Sequence, residues 1–236
     1  MRKWLKGVQS VVLTAVVVCA VLLQGVEVQA SNANTSTAGF TMSGTTVTGY
    51  NGTGGSVAIP DTATAIAASA FSGKTNISAI SIPSSVTSIG NNAFYGCSKL
   101  QSIGESAKCT YVGNAAFQSC SSLEKIDLSM CTSVGSCAFN SCSSLEKIDL
   151  SMCTLVGSSA FNCCSSLQSV GNPKLTSIPD NAFSGCSSLE NIDLSKCTSV
   201  GSRAFYGGRK LQNVNISNCT YIGGNAFNGC SSITEV

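Results

Sequence analysis

The sequence predicts a solenoid: a right-handed, curved ribbon of short parallel β-strands joined by short helical or 3-10 turns, mostly β, with an N-terminal β-hairpin cap. Three observations predict it. The 22 residues Cys120–Ser141, CSSLEKIDLSMCTSVGSCAFNS, return as Cys142–Cys163 with changes only at Ser133/Leu155, Cys137/Ser159 and Ser141/Cys163. Ala-Phe pairs place Phe71, Phe94, Phe117, Phe139, Phe161, Phe183, Phe205 and Phe227 in steps of 23, 23 and then 22 five times. Counted from each Phe, aliphatic residues recur at fixed distances. A coil of that length cannot bury its own apolar face, but seven or eight stacked coils can.

The chain begins with a pattern of export. Arg2, Lys3 and Lys6 precede an apolar run, Val11–Leu23, and Val28-Gln29-Ala30 supplies small residues for cleavage, so residues 1–30 are expected to be a signal peptide. No later stretch is apolar for the roughly 20 residues a membrane helix needs, so no membrane insertion is expected after cleavage. Removing Arg2, Lys3, Lys6 and Glu27 from 13 basic and 11 acidic residues leaves ten of each. A neutral chain without a basic cluster is not built for nucleic acid. The expected address is extracellular, secreted or at the cell surface.

Residues 31–39, SNANTSTAG, read as a disordered leader. In residues 40–60, FTMSGTTVTGY, NGTGG and SVAIP read as two β-rich runs around a Gly/Asn turn, a hairpin that would cover the first coil. The repeats then fill 61–236. Six residues after each Phe stands Leu or Ile (Leu123, Leu145, Leu167), and at nine, Ile or Val (Ile126, Ile148, Val170). At eleven stand Ile82, Leu128, Leu150, Leu194 and Ile216. Positions nine and eleven share one side of a strand and point inward, while eight, ten and twelve point out. A β-branched residue at seventeen or eighteen suggests a second short strand opposite, and G-x-x-A-F-x-x-C reads as one helical turn bringing Phe inward. The sum, L-x-x-I-x-L-x-x-C-x-x-V, is the leucine-rich-repeat template. Glu105 and Asn172 break the rule at eleven, so irregular strands are expected there.

IPSSVTSIGNNAFYGCSKLQSI (Ile82–Ile103) and VTGYNGTGGSVAIP (Val47–Pro60) resemble the BspA-like leucine-rich-repeat family, over about residues 40–236. The resemblance implies a curved solenoid displayed by host-associated bacteria and some parasitic protists, some members being adhesins for host matrix proteins or other cells.

Of 14 cysteines, Cys97, Cys120, Cys142, Cys164, Cys186 and Cys230 lie three residues after a Phe, and Cys109, Cys131, Cys153, Cys197 and Cys219 form a second column. Lys74, Gly208, Ser85 and Leu175 replace Cys in these columns, so buried thiols acting as small hydrophobes are the favoured reading. Cross-linking between adjacent rungs is the alternative. Off-column Cys137 and Cys163 are the expected reactive thiols. With no His and no C-x-x-C pair, neither a zinc site nor another metal or cofactor is expected.

The same lack of His removes the Ser-His and Cys-His nucleophile pairs. What remains is a row at position ten, Asp127, Asp149 and Asp193, broken by Gly171 and followed by Asn215. Adjacent members would stand about 5 Å apart, which suits a glycosidase pair or a cation site, but flanking Lys125 and Lys147 make an ordinary solvated face the simpler account. No catalytic residue is assigned. The candidate concave-face binding strip is Lys125, Asp127, Lys147, Asp149, Asn191, Asp193, Asn213 and Asn215, since solenoids recognise partners on that face. The expected function is a non-enzymatic, adhesin-like module contacting an extracellular protein or cell-surface ligand. The alternatives are a structural piece of a larger surface array, or a carbohydrate-active or cation-binding protein using the Asp row. The sequence ends in mid-strand, so self-association through an open last coil is also expected.

Overall fold

The computed structural model describes residues 39–104, 108–171 and 173–234. The signal peptide, nearly all of the leader, Glu105 and Asn172 lie outside the described residues. The strands are β1 (Phe40–Ser43), β2 (Thr46–Tyr50), β3 (Gly55–Ala58), β4 (Ala65–Ile66), β5 (Ile77–Ser81) and β6 (Ser88–Ile89). They continue as β7 (Ser102–Gly104), β8 (Tyr111–Val112), β9 (Ser133–Val134), β10 (Leu155–Val156), β11 (Ser177–Ile178), β12 (Ser199–Val200) and β13 (Tyr221–Ile222). No helix occurs among the described residues.

Each turn of the ribbon has two walls and an arc. The upstream wall, just before each Phe, pairs β1-β2-β4-β6-β8-β9-β10 and then, separately, β11-β12-β13. All its pairings are parallel except β1–β2. The downstream wall pairs β3-β5-β7 and continues as single parallel bridges: Ser102 with Lys125, Lys125 with Lys147, Lys147 with Ser169, and Asn191 with Asn213.

This reverses the expected emphasis: the wall foreseen as secondary carries the longer ladder, while the main strand shrinks to one bridge per coil. The reason lies in the sequence after position nine. From the third coil on, except at Gly171, an Asp or Asn at ten accepts the N–H of the Ser two residues later, as from Ser129 to Asp127 (2.9 Å) and Ser151 to Asp149 (2.8 Å). Such a side-chain turn bends the backbone away before a strand can extend. Ser81 and Gly104 hold position ten in the first two coils, where strands survive.

The arc replaces the helical turn that was expected. Its N–H groups alternate: those two before, at and two after Phe bond the next coil, and those between bond three residues back in their own coil. Phe139 N–H reaches Ala160 O at 2.7 Å, for instance, while Asn140 N–H reaches Cys137 O at 3.0 Å. The residues two before and two after Phe take positive φ, as at Cys137 (56°) and Ser141 (64°), which is incompatible with a continuing helix.

The core is a stack of like on like. Phe71, Phe94, Phe117, Phe139, Phe161, Phe183 and Phe205 are at most 1% exposed. Successive rings from Phe71 to Phe227 lie 4.9–5.5 Å apart and within 12° of parallel. Tyr50 and Phe40 extend this file beyond Phe71, at 5.5 and 6.3 Å. The hairpin that brings them there turns at Gly44-Thr45, not at NGTGG; SVAIP instead feeds β3 into the downstream wall. Val86 rather than Ser85 holds the buried place equivalent to Cys109, because the extra residue of the 23-residue coil shifts the column by one.

Candidate functional site

All eight residues of the candidate strip are exposed on the outer face of the downstream wall. The structure does not make them one continuous row. Lys125 and Lys147 are bridged to each other, as are Asn191 and Asn213, but the bridge series stops between Ser169 and Asn191. The strip is therefore two patches. One is charged (Lys125, Asp127, Lys147, Asp149); the other is richer in amides (Asn191, Asp193, Asn213, Asn215).

The carboxylates have a structural task that the sequence reading missed. Besides Asp127 and Asp149, Asp193 accepts Ser195 N–H at 2.9 Å, and Asn215 accepts Ser217 N–H at 3.2 Å and its hydroxyl at 2.8 Å. Hydrogen bonds from the Ser195 hydroxyl and N–H hold the exposed Asp193 carboxyl below its ordinary range. The legible signal was the triplet D-x-S, repeated as N-x-S in the last coil. Its exception fits: Gly171-x-Pro173 removes acceptor and donor together, leaving no orphan, and Gly171 makes the bend with a φ of +67°. A Cβ there would stand 2.8 Å from Asp149 Oδ1. The missing side chain opens a shallow depression of about 320 Å³ over Ile126 and Ile148, edged by Lys147, Asp149, Ser169 and Gly171.

The cysteines of the described residues are free thiols. In the column after Phe each Sγ–H donates to the Phe carbonyl of the preceding coil: Cys120 to Phe94 O at 3.0 Å, Cys142 to Phe117 O at 3.1 Å, Cys164 to Phe139 O at 3.0 Å. In the second column Cys153 donates to Leu155 O at 3.0 Å. Burial pushes the thiols of Cys109 and Cys142 up to about 12, and those of Cys153 and Cys197 to about 11. Off-column Cys163 is exposed and Cys137 half-buried. Among the described residues, no group of three or more His, Cys, Asp or Glu is placed to hold a metal ion.

Stacked parallel turns, a file of stacked Phe rings and a Leu or Ile six residues after each Phe define a leucine-rich-repeat solenoid of about eight turns. The chain belongs to the BspA-type leucine-rich-repeat family, whose model matches residues 50–168 and 123–234 with six copies. Among solved structures it is similar to a leucine-rich repeat protein from Bacteroides ovatus ATCC 8483, with 29% identity and a TM-score of 0.72 over 80% of this chain and 54% of that one. It is also similar to the T. pallidum leucine-rich-repeat protein (27% identity, TM-score 0.68, covering 86% of this chain and 92% of that one). A Eubacterium ventriosum ATCC 27560 leucine-rich repeat protein shares 30% identity at a TM-score of 0.59, over 69% and 46% of the two chains. The chain thus spans about half the length of the B. ovatus protein and nearly all of the treponemal one. Among curated proteins nothing matches.

Proposed function

We propose that the chain is an exported, non-catalytic binding module, secreted or held at the cell surface, that contacts an extracellular protein or cell-surface ligand through the outer face of the downstream wall. The observation that carries this reading is the placement of the strip. Four charged or amide side chains in each of two patches are repeated at the coil spacing, all exposed, on stacked coils. Extended solenoid faces recognise partners by such repetition. Membership of the BspA-type family and the export pattern of residues 1–30 support the address. Among the described residues no helix is long and apolar enough to cross a membrane.

A catalytic use of the Asp row is disfavoured by chemistry. Each Asp spends one oxygen on its own turn, and of the three only Asp149 edges the depression, so no carboxylate pair faces a common cleft there. The direct test is binding of the exported chain to immobilised matrix proteins and to epithelial and bacterial surfaces. Saturable binding is expected, weakened by the joint substitution Lys125→Ser, Lys147→Ser, which copies the native Ser102 and Ser169 at that position. Absence of saturable binding to every surface sinks the reading, and so does binding that the double variant leaves unchanged.

A further inference from the structure

The coils are nearly uniform copies, which makes one junction stand apart. Between the coil of Phe161 and that of Phe183 both walls lose their pairing. The upstream sheet ends at β10 and restarts at β11, and the downstream bridges skip from Ser169 to Asn191. Two series of bonds on the upstream wall lapse there together. At successive junctions a Thr N–H donates to the preceding Thr carbonyl: Thr132 to Thr110 (2.9 Å), Thr154 to Thr132 (3.0 Å), then Thr198 to Thr176 (2.8 Å) and Thr220 to Thr198 (2.8 Å). No such bond joins Thr176 to Thr154. Four residues before Phe, in the coils on either side, a Gly N–H makes the second bond, as from Gly135 to Val112 (2.8 Å), Gly157 to Val134 (2.8 Å) and Gly201 to Ile178 (2.7 Å).

In the intervening coil that place belongs to Pro179. Proline has no N–H to give and is poorly tolerated inside a sheet. It also brings bulk where the neighbouring coils admit none: a Cβ on Gly135 would lie 2.6 Å from Asn114 N, and one on Gly201 2.6 Å from Asp180 N. Pro179 therefore removes the bond and holds the backbones apart. The arc is unaffected. Ser159 N–H still reaches Asp180 O (3.0 Å), Phe161 reaches Ala182 O (2.8 Å), Cys163 reaches Ser184 O (2.7 Å), and the rings of Phe161 and Phe183 stack at 5.3 Å. A substitute bond, Lys174 N–H to Cys153 O at 2.9 Å, and the bond from Glu190 to Gln168 at 3.2 Å add to the joint, with side-chain bonds from the Cys186 thiol to Phe161 O (3.1 Å) and the Ser187 hydroxyl to Ser165 O (3.3 Å).

We infer that the solenoid is two cooperative blocks, the coils through Phe161 and those from Phe183, joined at a weak seam where Pro179 leaves the upstream wall unpaired, so that the bonds of the phenylalanine arc are the ones that break when the blocks part. In a quasi-one-dimensional array stability is a sum of coil and neighbour terms, so the junction with the fewest bonds opens first. The seam lies between the two patches of the candidate strip, so its opening changes their relative tilt. The inference does not depend on the strip binding anything.

Native-state amide exchange on the intact chain tests it. The amides to watch are bonded ones across the seam (Ser159, Phe161, Cys163), compared with their equivalents one junction earlier (Cys137, Phe139, Ser141), so that a merely missing bond is not mistaken for opening. Loss of one net backbone bond is worth about a five-fold change in an opening equilibrium. The seam amides are expected to exchange at least about five-fold faster, and Pro179→Gly, which restores the donor, is expected to close the gap. A smaller ratio in the natural chain overturns the seam. A gap that Pro179→Gly leaves open overturns the assignment to Pro179. If that variant does not fold, the natural chain's profile alone decides.

Discussion

Phe139→Ala probes the proposition that identical side chains stacked in file hold this molecule together. Phe139 has no exposed surface and sits 5.1 Å from Phe117 and 5.3 Å from Phe161, with ring planes within 12° and 2°. Truncating a buried Phe to Ala costs about 3–5 kcal/mol in lost transfer energy and residual cavity. Each ring contact adds about 0.5–1.5 kcal/mol beyond burial, so a residue with two belongs near the top of that range, at about 4–5 kcal/mol. Phe227 is half-buried and stacks on Phe205 alone, at 5.3 Å. The same truncation there should cost about 1–2 kcal/mol. Equilibrium unfolding in guanidinium chloride, followed by circular dichroism, compares the two. The central variant should also show a shallower denaturant dependence, because coils on either side of the defect stop unfolding together. Equal losses in the two variants, or a loss below about 2 kcal/mol for Phe139→Ala, would refute the reasoning.

Three further outcomes follow from particular side chains. Cys163 holds a φ of 61° at a place where Gly73, Gly96, Gly185, Gly207 and Gly229 stand in other coils. Cys163→Gly should therefore gain about 0.5 kcal/mol in a denaturant titration, and Cys163→Val should lose about 1–2 kcal/mol. Asp149→Ala removes the acceptor of Ser151 N–H and should cost about 1 kcal/mol, whereas Asp149→Asn keeps Oδ1 and should cost a few tenths at most. For Cys109, Cys142, Cys153 and Cys197 the folded-state pKa exceeds the ordinary 9.0, so their stabilisation is complete below about pH 9 and is lost as pH rises through the folded value. With Cys142 near 12 the loss is about 1.4 kcal/mol per pH unit between about 9 and 11 for that thiol alone. Unfolding midpoints measured from pH 8 to 11 should fall steeply, and a flat profile would contradict the burial of these columns.

The stacking was legible because a repeat leaves a one-to-one record in sequence. Equal spacing of Phe117, Phe139, Phe161 and Phe183 admits one coil length, and like residues must then overlie like. What escaped was decided by main-chain geometry that apolar spacing does not encode. A strand at positions nine and eleven and a turn that merely carries two inward aliphatic residues give the same pattern at Ile126 and Leu128, both buried. The turn's real signature was polar, in Asp127 and Ser129, and had been read as a surface charge. The arc was mistaken for a helical turn because Ala, Phe and Cys sit at helical spacing; Cys137, Ser141 and Cys163 give little hint of positive φ, although Gly96 and Gly185 in the same column as Ser141 do. The binding strip was legible as a set of exposed positions. Its division into two patches required seeing that Gly171, Pro173 and Pro179 fall in one coil.

The cysteine columns show how a chain can be rich in sulfur while its described cysteines stay free thiols. Small secreted domains staple themselves when they cannot bury enough apolar surface. Here each added coil brings its own core, so copying supplies what cross-links otherwise would. The thiol also has a definite partner. Phe94 O accepts Cys97 N–H from its own coil at 3.1 Å and the Cys120 thiol from the next at 3.0 Å, filling both lone pairs of a buried carbonyl. A disulfide between neighbouring rungs would withdraw two such donors at once, and serine would bury a stronger acceptor oxygen without a donor of its own. Cysteine is small, apolar and just polar enough to donate. Gly208 shows that the donor can be spared: it offers no thiol to Phe183 O, and a Cβ there would lie only 3.1 Å from Phe205 O. The columns therefore follow the copying of coils without demanding sulfur in each, and of the two cysteines outside both columns Cys163 is exposed and Cys137 half-buried.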